Sequence, residues 1–387
     1  MMDELSIARR RADLDWLRVI AFGLLIWFHA AIVFLPSGIP MIQNAESSTT
    51  LQVFVAFLHQ FRLALLFLIS GVGVRFAMKQ RDAGQFVRER AQRLLIPLAV
   101  GILVLVPPMV YLEKRFIGEI DTGFAAYYPT FFVTGVYPSG HLSWHHFWFL
   151  AYLFLFCTLG LPLFRYLTAD GGHRLIRHLT ARLAPRVQLL LPIIPLAIME
   201  IALRWAFPGI PDLVHDWANF AQWFLIFIAG FVLASSEPLL DRTQALRNLS
   251  LGLGIATSGL LFIQFWDPAG SGFTPLSDGR VTLIEYLWFC ALRVANTWCW
   301  LLACLGWAGA WLQRPGKTLR YLNRAVYPLF CLHLPIIVAL AYLVVPFDWP
   351  VLAKYLVIVG GTGLATLVLY EVLLRRVSWL RPLFGIK

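Results

Sequence analysis

"LDWLRVIAFGLLIWFHAAIVF", residues 14–34, is long and apolar enough to cross a bilayer as one helix, yet it carries Asp15, Arg18 and His29. A span needs roughly 20 mostly apolar residues, and ionisable groups at that depth are expensive unless they line a functional cavity or pair with one another. Arg18 and His29 are eleven residues apart. At about 100° per residue this is three turns plus about 20°, so both side chains leave the same face of one helix. The rise between them is about 16 Å, which puts Arg18 near one membrane boundary and His29 around or just past the bilayer middle. Such a stripe suits an elongated ligand. The bland reading of Arg18 is an arginine snorkelling to headgroups, and that of His29 is a satisfied interhelical histidine.

The rest of the chain repeats the pattern. Of its 387 residues 59% are hydrophobic and only 14% charged, far more apolar than a soluble domain. The expected fold is all-α, a polytopic bundle of about ten transmembrane helices over 14–35, 51–77, 94–111, 144–166, 187–207, 218–234, 249–266, 283–312, 325–345 and 352–374. The formal net charge of +11 would suggest a nucleic-acid partner in a soluble protein; its placement here argues against one. Basic residues crowd every second connection: Arg9, Arg10 and Arg11; Lys79, Arg81, Arg88, Arg90 and Arg93; Arg174, Arg177, Arg182 and Arg186; Arg242 and Arg247; Arg314, Lys317, Arg320 and Arg324; and Arg375, Arg376, Arg381 and Lys387. The intervening loops hold Lys114, Arg115, Arg280 and little else. The positive-inside rule then makes both termini cytoplasmic, in agreement with an even number of spans. The chain reads as one integral membrane domain over 1–387 with no separate soluble domain.

Several features have plain structural readings. The apolar run after Arg11 is too long for a signal peptide and is read as a first helix. The five cysteines fall inside expected helices with no C-x-x-C pair, so neither a disulfide framework nor a zinc site is supported. Gly360, Gly361 and Gly363 are read as close-packing glycines. His141 and His145, at i and i+4, lack a third metal ligand. The loop 113–143 carries Tyr127, Tyr128 and Tyr137, aromatic faces suited either to sugar rings or to an interfacial belt.

Further polar residues lie at matching depth. "FLHQFRLALLFLISG", residues 57–71, sets His59 and Arg62 one turn apart, and a mid-membrane arginine requires an anion or a carbonyl. "NRAVYPLFCLHLPI", residues 323–336, sets His333 between Pro328 and Pro335, which free backbone carbonyls. The eighth expected helix adds Arg293 and Asn296. Together these describe a polar core. A proton relay in a sugar or lipid exporter explains it as well as an enzyme does.

The choice comes from resemblance. "LDWLR" at 14–18 with His29, "LLFLISG" at 65–71, "RERAQRLLIP" at 88–97, "HFWFL" at 146–150 and "YPLFCLH" at 327–333 resemble, in order and spacing, the acyltransferase 3 family of integral membrane acyltransferases. The second helix and the ending "VLYEVLLRRVSWLRPLF" at 368–384 are most similar to its periplasmic glucan succinyltransferases, the glucan biosynthesis protein C type.

The resemblance implies an O-acyltransferase of the bacterial inner membrane. It would move a succinyl or acetyl group from cytoplasmic acyl-CoA to a hydroxyl of a periplasmic glucan or other envelope polysaccharide. Acyl-CoA is then a substrate and no cofactor is tightly bound; the remaining partners are membrane lipids. The family's Arg-x10-His motif maps onto Arg18 and His29. Histidine suits the work of a general base near neutral pH. His29, Arg62 and His333 are the expected catalytic group, with Arg62 or Arg293 as donor to the thioester oxyanion. Arg18, Arg75, Arg88, Arg90 and Arg93 are expected to hold the phosphates of CoA. Asp15, His59, His146, Trp148, Arg293 and Asn296 complete the supporting polar core.

Overall fold

The computed structural model describes residues 11–36, 41–78, 81–207, 209, 212–267, 272–273 and 281–386. Arg9, Arg10, Lys79, Arg280 and Lys387 lie outside the described residues. Helix α1 (Ala12–Ile32) is followed by α2 (Thr49–His59) and α3 (Arg62–Met78). Helix α4 (Ala83–Val100) runs through a π turn, Gly101–Leu105, into α5 (Val106–Phe116). Two single-turn helices, Phe124–Tyr127 and Thr130–Val133, and a 3-10 turn, His145–Phe147, lead to α6 (Trp148–Leu159) and α7 (Leu161–Thr168). Next come α8 (Asp170–Arg182), α9 (Pro185–Leu190), α10 (Ile193–Leu203), α11 (Trp217–Leu233), α12 (Glu237–Ala245) and α13 (Arg247–Phe265). A two-residue strand pair, Trp266–Asp267 with Gly272–Phe273, separates α13 from α14 (Leu283–Trp311), α15 (Lys317–Val344) and α16 (Val351–Leu369).

Among the described residues eight helical segments are long and apolar enough to cross a membrane, and ten are when two bent pairs each count as one span. The bends are 50° between α6 and α7 and 105° between α11 and α12. The chain is therefore a multi-pass helical membrane protein. The third expected span, 94–111, changes most: its helix starts at Ala83 and ends at Phe116. Arg88 and Arg93 are exposed along this added segment while Phe86 and Leu94 are buried. Its charged outer face hides the helix from a search for apolar runs. The expected loop 113–143 correspondingly loses its first four residues to α5.

Local chemistry sets several starts. Ser48 accepts from the Leu51 amide at 3.4 Å and Asp82 from the Gln85 amide at 2.8 Å, and Thr282 with Glu285 closes a capping box on α14. The bundle is drawn together where α3 crosses α11. A Cβ at Gly71 would stand 1.9 Å from the Phe227 carbonyl oxygen, and one at Gly230 would stand 2.1 Å from that of Leu68. The two backbones touch, which only glycine allows. Phe67, Phe156, Phe164, Phe227 and Phe231, all fully buried, pack around this crossing. The expectation for the glycines of α16 is only partly met: Gly361 faces the Leu340 side chain, but nothing lies within 4 Å of Gly360 or Gly363.

Gly71→Val should lower the unfolding midpoint in detergent, since the clash is with backbone and exceeds the usual overpacking penalty of about 1–3 kcal/mol. Gly363→Ala should leave the midpoint unchanged. Equal behaviour of the two variants would show that the α3–α11 crossing does not hold the bundle.

Candidate functional site

The stripe on α1 meets α15 at both of its ends. At one end the Arg18 guanidinium donates to Asn323 Oδ1 at 3.4 Å and lies 3.7 Å from Asp15, which itself accepts from Asn323 Nδ2 at 3.0 Å. At the other end His333 Nε2 lies 3.1 Å from His29 Nδ1. Arg18 and His29 thus meet Asn323 and His333, a pair ten residues apart on a helix running the same way. His29 sits in the last turn of α1, while its partner His333 sits near the middle of α15.

The hydrogen bonds decide the tautomers. A backbone carbonyl only accepts, so His333 Nδ1, 2.7 Å from the Phe330 oxygen, carries that ring's proton and leaves Nε2 as an acceptor. His29 Nδ1 lies 3.0 Å from the Leu25 oxygen and carries its proton, shared with His333 Nε2. His29 Nε2 is left unprotonated and without a protein partner among the described residues. His333 is fully buried and fixes the orientation of the His29 ring. His146 closes the back of the pair: its ring lies 5.0 Å from that of His333, and both its nitrogens are buried without a partner.

Arg62 begins α3, just after a break in the span. Gln60 and Phe61 separate α2 from α3, and side chains of α14 satisfy the freed groups. Thr297 Oγ1 donates to the Gln60 carbonyl at 2.7 Å, and Asn296 Nδ2 donates to the Gln60 side-chain oxygen. Asn296, fully buried, also accepts from Thr257 and Ser258, each at 2.9 Å. The break presents Arg62 inward. Its guanidinium carbon lies 3.3 Å above the Phe28 ring, and Nε and Nη1 are buried with no hydrogen-bond partner. A buried cation so placed is built to receive an anion.

Arg62 lines a cavity of about 260 Å³ together with His59, Trp148, Arg204, Gln222 and Arg293. Trp148 forms its wall by stacking on Trp223, with centroids 5.2 Å apart. Glu200, completely buried, is the acidic partner: it accepts from Arg204 at 2.8 and 3.0 Å, from Arg293 at 2.8 Å and from Gln222 at 3.2 Å. Arg204 continues to Asn219 at 2.6 Å, and Asn219 to Asp216 at 2.7 Å, which also accepts from Tyr152 at 2.9 Å. Three guanidinium groups line the cavity, and the network set against them holds two carboxylates, Glu200 bonded to Arg204 and Arg293 and Asp216 bonded to Asn219, so arginine is in excess.

The remaining sequence-derived residues separate from this centre. Arg75 is tied to Ser235 at 3.0 Å, Arg90 lies over the Phe86 ring at 5.0 Å, and Arg88 and Arg93 are exposed. None of them lines the cavity. His141 and His145 turn to different carboxylates, Glu119 at 3.6 Å and Glu113 at 3.4 Å.

The profile of the Acyltransferase domain family matches residues 11–371, which include both helices of the histidine pair and the whole cavity. The chain belongs to the acyltransferase 3 family. It is similar to glucans biosynthesis protein C of Escherichia coli K12, 27% identical over 161 residues, which are 41% of this chain and 40% of that protein. The same protein from strain 536 and from strain O1:K1 shows the same identity and coverage. The matched stretch therefore spans well under half the length of these relatives. No solved structure matches the chain.

Within this acyltransferase domain, sequence reasoning found both histidines and the arginines of α3 and α14 but missed Glu200 and Arg204. A glutamate inside the apolar run "LLLPIIPLAIMEIAL", residues 189–203, was the available signal. Gln60, Thr297 and Asn323 carry no such signal, since each matters only through a contact with a distant helix. Glu200→Ala should destabilise the fold by about 3–5 kcal/mol, because it strands Arg204 and Arg293 without their anion. A lowered melting midpoint in detergent checks this; an unchanged midpoint would remove Glu200 from the network.

Proposed function

We propose that the chain transfers an acyl group from acyl-CoA to a hydroxyl of an extracytoplasmic glucan or related polysaccharide. The observation that carries this reading is the His29–His333 pair: it leaves His29 Nε2 as a free base one residue along α1 from Phe28, the ring over which the buried Arg62 lies. An alcohol becomes a competent nucleophile when a base takes its proton as it attacks. In the proposed step the hydroxyl oxygen bonds to the thioester carbonyl carbon while His29 Nε2 accepts the hydroxyl proton. Arg62 donates to the oxygen that gains negative charge. Collapse expels CoA sulfur, which takes the proton from His29, so an ester and free CoA thiol result.

The donor phosphates would be met by the basic residues Arg18 on α1 and Arg88, Arg90 and Arg93 on α4. Arg75 on α3 is held by Ser235. The surplus of arginine over carboxylate in the cavity favours an acid-terminated acyl group, succinyl, over acetyl. The charge distribution supports cytoplasmic termini, and with them an inner-membrane location and an acceptor that approaches from the periplasm. The similarity to glucans biosynthesis protein C supports a glucan as that acceptor.

His29→Ala should fold and insert yet lose about two to four orders of magnitude in transfer rate; near-normal turnover would make His29 a packing residue. In sealed inverted vesicles, acyl-CoA added to the exposed cytoplasmic face should acylate acceptor trapped in the lumen. Transfer only when donor and acceptor share one side would refute acyl passage through the domain. Arg18→Ala should weaken acyl-CoA binding by about 1.5–3 kcal/mol, measured by titration in detergent, and an unchanged affinity would leave Arg18 a structural partner of Asn323.

A further inference from the structure

A second cavity, of about 310 Å³, opens on the face of the bundle where α5 ends, and nothing in the reaction described above uses it. It is within the range of small-ligand sites, roughly 300–1,000 Å³. Its floor is Glu113, a carboxylate on α5 that is 5% exposed. Tyr137 donates its hydroxyl to Glu113 Oε2 at 3.1 Å, and His145 Nε2 approaches Oε1 at 3.4 Å. The His145 tautomer follows from Ser143. Its Oγ accepts the His145 backbone N–H at 3.0 Å and donates to Nδ1 at 2.6 Å, so Nε2 carries the ring proton toward Glu113.

Neither donor to Glu113 is a lysine or an arginine. The neighbouring cation is spent elsewhere: Lys114 donates to Glu119 at 2.7 and 2.9 Å and to the Pro138 carbonyl at 3.2 Å. That contact holds the exposed Glu119 carboxyl below its ordinary range. Glu113 accepts about four hydrogen bonds when ionised, so it has capacity left for a ligand hydroxyl. Across the cavity, Gln43 brings a buried amide nitrogen that has no partner. Met41, Phe116 and the Tyr137 ring supply the apolar walls. A carboxylate and a carboxamide facing each other between an aromatic and an aliphatic wall match a ring that carries hydroxyls at its edge and C–H groups on its faces.

Glu113 in the cavity lining is linked to the histidine pair through two consecutive residues, His145 and His146. His145 has φ +41°, a conformation uncommon for a non-glycine residue. It sends one imidazole toward Glu113 and leaves the next, His146, against His333. Strained backbone of this kind persists where the surroundings require it.

We infer that this cavity is an acceptor subsite that binds one pyranose unit of the polysaccharide, with Glu113 and Gln43 holding its hydroxyls and Tyr137 and Phe116 covering its faces. This rests on the acyl-transfer reading for its role but not for its test. The bound unit anchors the acceptor so that a neighbouring unit offers its hydroxyl to His29.

The test is calorimetric titration of the full chain in detergent micelles with cellotetraose, maltotetraose and laminaritetraose, without any acyl donor. At least one should bind with a millimolar or lower Kd. Glu113→Gln and Tyr137→Leu should each weaken it by about tenfold or more, as for loss of a charged acceptor or a stacking face. Gln43→Ala, on a less buried wall, keeps the test decisive if the Glu113 variant melts early. Wild-type affinity in both Glu113→Gln and Gln43→Ala, or no binding of any of the three sugars to the folded wild type, overturns the subsite. Neither result touches acyl transfer, which the His29→Ala assay decides separately.

Discussion

Hydrocarbon supplies no hydrogen bonds, so every polar group carried into the bundle has to be met by another helix. The architecture around the site follows from that requirement. Glu200 on α10 holds Arg204 and Arg293 together and so joins α10 to α14. Arg18 and His29 on α1 are met by Asn323 and His333 on α15. Among the described residues Arg62 is the guanidinium at the site left with two buried nitrogens unmatched, as are both ring nitrogens of the buried His146. On the reading proposed above, this unmatched cation is the position that a substrate anion or a developing oxyanion would complete.

The same requirement explains how the second span tolerates its break. Interrupting a helix frees backbone groups that lipid would leave bare. Thr297 and Asn296 take up the groups of Gln60, and the Phe61 ring stacks on Trp300, 5.2 Å between centroids. All three partners lie on α14, one to two turns from Arg293. One helix therefore both pins the break that exposes Arg62 and contributes an arginine to the cavity that Arg62 lines. Changes on α14 would be felt at the site through both routes.

Much of this was legible in the sequence because its signals are one-dimensional. Runs of apolar residues mark the spans, and the eleven-residue spacing of Arg18 and His29 marks a shared face that the structure turns toward α15. Depth was less legible. Counting residues puts His29 near the bilayer middle; it lies in the last turn of α1, yet its partner His333 lies near the middle of α15, so the end of one helix is a poor guide to depth. Partnership was not legible at all: Asn323, Gln60 and Thr297 are ordinary polar residues until the fold brings a distant helix to them. The backbone contact at Gly71 and Gly230 likewise depends on two residues 159 positions apart.

The parallel run of α1 and α15 has a mechanical consequence. Because contacts at both ends of the stripe join the same two helices, a slide of α15 by even one residue, about 1.5 Å, would disrupt Arg18–Asn323 and His29–His333 together. The two helices act as a ruler with marks at both ends. On the acyl-transfer reading proposed above, a donor held at the Arg18 mark would reach His29 only if its length agreed with the ruler, because the two helices cannot shift one mark without the other.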